Sequence, residues 1–123
     1  SSTVLVSGGP WQLGVGGPFR ERTHIDTVVG LTSGALSGSG TEIRGEHIWD
    51  VRRSTRKTRW AQSWAIADSG AVADALTTAA LSMSPRELRS AADALGARIL
   101  VASRQSRTMD SIKDPLIWYN SCT

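Results

Sequence analysis

Residues 69–85 read SGAVADALTTAALSMSP and carry a single charged side chain, that of Asp74. The spacing of the apolar residues around Asp74 predicts a helix, which Asp68-Ser69-Gly70 opens. Thr78 follows Asp74 by four residues, so its hydroxyl lies on the same helical face as the carboxylate. A carboxylate and a hydroxyl are hard oxygen donors, which suit Mg²⁺ or Ca²⁺. The stretch therefore predicts a helix with a candidate cation site on one face.

This helix has an apolar stripe on the side away from the pair. At about 100° per residue, the stripe consists of Val72, Leu76, Ala79, Ala80 and Met83. The other side contains Asp74 and Thr78 but no Lys, Arg or Glu, whereas a solvated helix face usually carries more charge. We therefore expect Asp74 and Thr78 to lie inside the protein. An acid near the helix N-terminus, stabilised by the helix dipole, is the competing interpretation.

Short apolar segments separated by glycine-rich turns predict strands before this helix. They are residues 3–6, 11–15, 27–31, 35–36, 47–50 and 63–67. A second helix begins at the capping box Ser84-Pro85-Arg86-Glu87 and ends at Gly96. Residues 98–102 and 116–119 predict two further strands. Strands followed by two helices and then by strands predict an α+β fold with a mostly antiparallel sheet.

The composition fits one soluble domain, and we predict a single domain over residues 1–123. Cys122 has no second cysteine to pair with, which fits a reducing compartment. No apolar run is long enough to span a membrane. The first residues do not have the pattern of a signal peptide, which slightly favours a cytoplasmic location.

The basic excess of the chain is local. The chain has 14 Lys and Arg against 11 Asp and Glu, and five of the 14 lie within Arg52–Arg59, between Trp49 and Trp60. Such a run is typical of a solvated loop. A further interpretation is contact with the phosphates of a dinucleotide or with an acidic partner. Basic residues beside aromatic ones also suit nucleic acid, but we regard nucleic-acid binding as the less favoured interpretation.

Three blocks of sequence follow one another in a characteristic order. They are Gly9-Pro10-Trp11-Gln12-Leu13-Gly14-Val15, then Ser37-Gly38-Ser39-Gly40 with His47-Ile48-Trp49-Asp50, and then Ala73-Asp74-Ala75-Leu76-Thr77-Thr78-Ala79. Together they resemble the C-terminal part of the FAD:protein FMN transferases, the ApbE family. That family shows a pW-x-v-g-i strand, a T-S-G turn, an H-I-I-D-P segment and an A-D-A-L-x-T-A helix. The resemblance runs from about Trp11 to about Val101 and implies an ApbE-like, T-fold-like C-terminal half.

The resemblance implies a flavin-transferring enzyme. Such proteins bind FAD and Mg²⁺, cleave the FAD pyrophosphate and attach FMN through a phosphoester to a Thr or Ser of an acceptor protein. The family's helical metal ligands match Asp74 and Thr78. This agrees with the cation site that their spacing suggests, because pyrophosphate cleavage needs a cation to neutralise charge on the leaving phosphate.

Four more residues match positions beside the flavin of such proteins. The Ser-Gly turn matches Ser37 and Gly38, and the H-I-I-D-P segment matches His47 and Asp50. The resemblance thus implies that these four bind the cofactor, with His47 as the candidate catalytic residue.

The sequence departs from the family pattern in two ways. Val51 stands where the family has a proline, and only ten residues precede Trp11, although family members are much longer. We therefore predict that a complementary N-terminal chain or subunit completes the flavin pocket. A sheet built from residues 11–15, 27–31 and 63–67 would otherwise expose an unpaired edge and an apolar face.

Two other functions stay open. A degenerate ApbE-like subunit would bind a different ligand. Alternatively, if maturation exposes Ser1, its α-amine would act as the base for its own hydroxyl, as in N-terminal-nucleophile hydrolases.

Overall fold

A five-stranded antiparallel sheet forms the centre of the protein. The computed structural model describes residues 2–15, 27–40, 58–103 and 116–120. The strands in these ranges are β1 (Ser2–Val6), β2 (Trp11–Val15), β3 (Thr27–Leu31), β4 (Gly34–Gly40), β5 (Trp60–Ala67), β6 (Arg98–Ser103) and β7 (Leu116–Asn120). The large sheet has the order β1-β4-β5-β6-β7, while β2 and β3 form a separate antiparallel ladder.

Helices α1 (Gly70–Ala80) and α2 (Pro85–Leu95) cover one face of the large sheet. Successive side chains of a strand point to opposite faces, so every second residue of β4, β5 and β6 meets the helices. The core on this side joins small and branched strand residues to the helix leucines; it includes Ala35, Ala65, Ala67, Ile99, Val101, Leu76 and Leu88. Because alanine is frequent on both sides, α1 lies close to the strands.

The β2–β3 ribbon covers the opposite face. Its apolar side chains, Leu13, Val15, Val29 and Leu31, pack against Leu36, Trp64, Ile66 and Leu100 of the sheet. The protein thus has three layers, with the helices on one side of the sheet and the two-stranded ribbon on the other. The large aromatic side chain of Trp64 lies on the ribbon side, whereas Ala65 and Ala67 of the same strand belong to the core on the helix side.

The ends of both helices agree with their sequences. Ser69 caps α1 by accepting a hydrogen bond from the Val72 backbone N–H at 3.3 Å. Ser84 and Glu87 form the predicted capping box at the start of α2. Gly96 ends α2 with a left-handed backbone, φ 59°, a conformation that glycine adopts without steric penalty.

The α+β class and the antiparallel sheet are confirmed, and the predicted strands within the described residues are present. Residues 35–36 belong to a longer strand, β4, and residues 47–50 lie outside the described residues. The predicted sheet of residues 11–15, 27–31 and 63–67 is wrong. Residues 11–15 and 27–31 pair only with each other in the part of the chain described, because their apolar side chains cover the large sheet instead of extending it. The single-domain assignment stays a prediction.

None of the helices within the described ranges is long and apolar enough to span a membrane.

Candidate functional site

Thr77 connects α1 to the middle of the sheet. Its buried hydroxyl donates to the carbonyl oxygen of Ser63 at 2.9 Å and lies 2.8 Å from Ser63 Oγ. The Ser63 hydroxyl in turn donates to the Thr77 carbonyl oxygen. These contacts satisfy polar groups that would be costly to bury alone. They also fix the rotation of α1 about its axis, and with it the direction of the next side chain.

That next side chain is Thr78, on the exposed side of α1. Its hydroxyl donates to the carbonyl oxygen of Asp74 at 3.3 Å and lies 3.4 Å from Ser39 Oγ. Ser39 is in β4, pairs in register with Ser63 of β5, and is only 8% exposed. Asp74 lies one turn before Thr78 and is also exposed. The Thr78 hydroxyl therefore borders the last residues of β4, and the Asp74 side chain lies one turn away on the same exposed side of α1.

The expectation that Asp74 and Thr78 lie inside the protein is wrong. The buried residues of α1 are Ala73, Leu76, Thr77 and Ala80, whereas Ala79 of the predicted stripe is exposed. Compared with the orientation that the apolar stripe predicts, α1 is rotated about its own axis. The reason is that Thr77, although polar, forms hydrogen bonds with Ser63 and is buried in place of an apolar residue. The side of α1 with little charge therefore faces outward, where a ligand can reach it.

Ser37 and Gly38 lie within β4, so the turn that the resemblance implies for them is wrong. The Ser37 hydroxyl is buried, donates to the Ser2 carbonyl oxygen at 3.1 Å and lies 3.0 Å from Thr3 Oγ1. Gly38 faces the other side of the sheet, where a Cβ would come within 2.9 Å of the Trp64 indole. A strand replaces the turn because both residues pair with β1 on one side and with β5 on the other.

The remaining predicted site residues, His47 and Asp50, lie outside the described residues, as do Ser1 and residues 52–57 of the basic segment. Their roles stay predictions. Arg59, at the end of that segment, places its guanidinium 5.5 Å from the centre of the Trp60 ring.

Asp74 and Thr78 fit Mg²⁺ by their donor chemistry. Thr78 directs its one proton at the Asp74 carbonyl, so its oxygen keeps lone pairs for a cation. The part of the chain that the structure describes contains no group of three or more His, Cys, Asp and Glu that could hold a metal. A zinc site usually needs more protein ligands, whereas Mg²⁺ commonly keeps several waters and takes its other oxygens from carboxylates and phosphates.

Ser39 is the site residue that the sequence analysis does not identify. Ser-Gly occurs twice in succession, at Ser37-Gly38 and Ser39-Gly40, and the motif alone fits either pair. Alternation along β4 turns both serines toward α1, but Ser39 is the one that contacts Thr78. The repeated dipeptide is the signal in the sequence; only the position of α1 on the sheet decides between the two serines.

These features define a class of protein: an α+β domain in which a helix on an antiparallel sheet carries a paired carboxylate and hydroxyl. The ApbE family model matches residues 2–101, so the chain belongs to the ApbE family. The resemblance inferred from the three sequence blocks is therefore confirmed.

A solved structure supports the same assignment. The crystal structure of the ApbE protein from Thermotoga maritima, at 1.58 Å resolution, superposes with a TM-score of 0.57 at 27% sequence identity. The match covers 76% of this chain and 33% of that one, so the chain spans about a third of the length of that protein. No curated protein sequence matches the chain.

Proposed function

We propose that this chain binds FAD together with Mg²⁺, with Asp74 and Thr78 as the protein ligands of the metal. The observation that carries the proposal is their position one turn apart on the exposed side of α1, with Thr78 in contact with Ser39 near the end of β4, in a member of the ApbE family. The helix is held to the sheet from its other side by Thr77 and Ser63. The pair is thus accessible to a ligand but carried on a fixed element.

The donor set is suited to a pyrophosphate. When bound, Mg²⁺ supplies positive charge to the phosphate oxygens and lowers the cost of charge on a leaving phosphate. Asp74 and Thr78 contribute one carboxylate and one neutral hydroxyl, which leaves coordination positions for water and phosphate oxygens. The absence of a bulky side chain at neighbouring Ala71 and Ala75 leaves this exposed side of α1 open.

We further propose FMN transfer to a Thr or Ser of an acceptor protein. In that reaction the acceptor oxygen bonds to the FMN phosphorus, the pyrophosphate P–O bond breaks, AMP leaves and the hydroxyl proton passes to a base. His47 is our candidate catalytic residue for this step. Ser37, Gly38 and Asp50 are kept as the further proposed cofactor contacts, and the buried Ser37 hydroxyl can act only through its neighbours in β1.

The transferase is proposed to work as part of a larger assembly. On one side β1 pairs with β4, and among the described residues no strand pairs with its other side. Val4 and Leu5 of β1 are 45% and 69% exposed. Soluble proteins usually cover such an edge. A complementary N-terminal chain or subunit that adds to β1 would cover it.

The metal proposal is tested with Asp74→Asn. Titration of FAD, followed by flavin fluorescence with and without Mg²⁺, measures the metal-dependent part of the affinity. We expect Asp74→Asn to weaken it by about tenfold, equivalent to about 1.4 kcal/mol, because Mg²⁺ prefers an anionic oxygen to an amide. Stability should change by no more than about 0.5 kcal/mol, as is usual for an exposed side chain.

Asp93→Asn is the matched control, because Asp93 is also an exposed helical aspartate but lies on α2. It should bind FAD and Mg²⁺ as the unaltered chain does. Equal metal-dependent affinity in the Asp74→Asn and Asp93→Asn proteins would refute the metal assignment. Absence of FAD binding at any Mg²⁺ concentration, in the chain alone and together with its complementary chain, would favour the alternative, a degenerate ApbE-like subunit that binds another ligand.

A further inference from the structure

Two serine–threonine pairs lie side by side between the sheet and α1. Ser63 and Ser39 oppose each other in register on β5 and β4, and Thr77 and Thr78 are consecutive on α1. Ser63 contacts Thr77 in the buried pair, and Ser39 contacts Thr78 in the pair at the surface. The two serines thus have the same chemistry and similar burial, but only Ser39 contacts a residue of the proposed metal pair.

The hydroxyl of Thr78 has one proton, and its direction decides where the oxygen lone pairs point. A threonine in a helix divides between two χ1 rotamers, one of which lets its hydroxyl bond to the carbonyl one turn back. Thr78 is in contact with the Asp74 carbonyl, and Ser39 Oγ lies 3.4 Å from the same hydroxyl oxygen. The Asp74 carbonyl oxygen and Ser39 Oγ both belong to the protein surface beneath the Thr78 hydroxyl. The opposite side of the hydroxyl oxygen therefore faces outward.

We propose that Ser39 is a positioning residue that holds the Thr78 hydroxyl in the orientation needed to bind Mg²⁺. This proposal rests on the metal-binding role proposed above for Thr78. Ser39 is suited to it because β4 is an inner strand of the sheet, and because Ser39 is nearly buried and so has little freedom to turn away. Loss of an outer partner that orients a metal ligand typically weakens metal binding by about 10–100-fold.

The test compares Ser39→Ala with Ser84→Ala in Mg²⁺ titrations of the chain in the presence of FAD. Ser39→Ala should weaken Mg²⁺ binding roughly tenfold, the lower end of the loss typical for a removed outer partner. Ser84→Ala should lower the melting temperature, because it removes the N-cap of α2, but leave Mg²⁺ affinity unchanged, because Ser84 contacts Glu87 and not the metal pair. Equal effects of the two variants on Mg²⁺ affinity would overturn the proposal.

A double-mutant cycle with Thr78→Val separates positioning from a general loss of structure. Without the Thr78 hydroxyl, Ser39→Ala should cause no further loss of Mg²⁺ affinity; the same tenfold loss in both backgrounds would contradict a positioning role. The three-bond couplings of the Thr78 methyl group provide a readout that needs no metal. They should report one χ1 rotamer in the unaltered chain and a mixture after Ser39→Ala, and an unchanged rotamer would also refute the proposal.

These outcomes separate the two proposals. If the unaltered chain shows no Mg²⁺-dependent FAD binding, either alone or together with its complementary chain, the proposed function fails and the role of Ser39 fails with it. If the unaltered chain binds and Asp74→Asn weakens the binding, but Ser39→Ala does not, only the role of Ser39 fails.

Discussion

The two helices have the same length and cover the same face of the sheet, yet different interactions hold them in place. Helix α2 has a capping box, a proline in its first turn and a left-handed glycine at its end, and it buries Leu88 and Ala92. Helix α1 carries only one charge, has a single serine cap, and is connected to the sheet by the hydroxyls of Thr77 and Ser63. Local sequence determines α2, whereas contacts with distant strands determine how α1 is oriented.

The difference matters because α1 carries the proposed metal pair. A helix whose rotation is set by a buried polar contact holds its exposed residues in fixed directions. An apolar stripe alone permits small rotations, since hydrophobic contacts are not directional. The buried Ser63–Thr77 pair thus gives α1 a defined orientation that its own sequence does not specify.

The largest effect that would test this comparison is expected for Leu88→Ala in α2. Leu88 is fully buried in the helix-side core, so its truncation leaves a cavity and should destabilise the protein by about 2–5 kcal/mol. Urea denaturation of the variant measures the change. A loss below about 1 kcal/mol would mean that α2 depends on its caps more than on its packing.

A smaller but more specific effect is expected for Thr77→Val in α1. Valine keeps the shape of threonine but removes the hydroxyl that donates to Ser63, so the protein should lose about 1–2 kcal/mol of stability. Thr78→Val, one residue on, is the matched control and should change stability by no more than about 0.5 kcal/mol, because Thr78 is exposed. Equal losses of stability for the two variants in urea denaturation would show that the buried Ser63–Thr77 contact stabilises the protein no more than the exposed Thr78 does.

Much of the fold follows from local sequence signals. The capping box of α2, its end at Gly96 and the strands at residues 11–15 and 27–31 all agree with the prediction, because each depends on residues close together in the chain. The pairing of these two strands away from the large sheet depends on Trp64 and Leu100, which are distant in sequence. Alternating apolar residues cannot show which partner a strand will choose.

The same distinction limits what could be predicted of the site. The residue types and the four-residue spacing of Asp74 and Thr78 are visible in the sequence, and they are enough to name the pair. Their exposure depends on the burial of Thr77. A pattern of apolar residues does not predict that burial, because threonine is polar. The contact of Thr78 with Ser39 joins residues 39 positions apart and could not be derived from either segment alone.

The smallest effect concerns how the stability of α2 depends on pH. Helix α1 offers no comparable effect, because its first turn contains no acidic residue. The pKa of Glu87 is lowered below its ordinary value, first by the hydrogen bond from the Ser84 backbone N–H and then by the contact with the Ser84 side chain. The folded state therefore favours the ionised carboxylate. Its contribution to stability is present in full above the ordinary glutamate pKa of about 4.3 and is lost as the pH falls through the lower folded value.

Glu87→Gln measures this contribution directly. At pH 7 the unaltered chain should melt at a slightly higher temperature than the variant, and the difference should shrink as the pH falls below about 4, where Glu87 in the unaltered chain becomes protonated. Asp93→Asn, which removes a carboxylate from the far end of the same helix, controls for the change in net charge. A difference between the unaltered and Glu87→Gln proteins that stays constant from pH 7 to pH 3 would mean that the carboxyl group of Glu87 stabilises the start of α2 equally well with and without its charge.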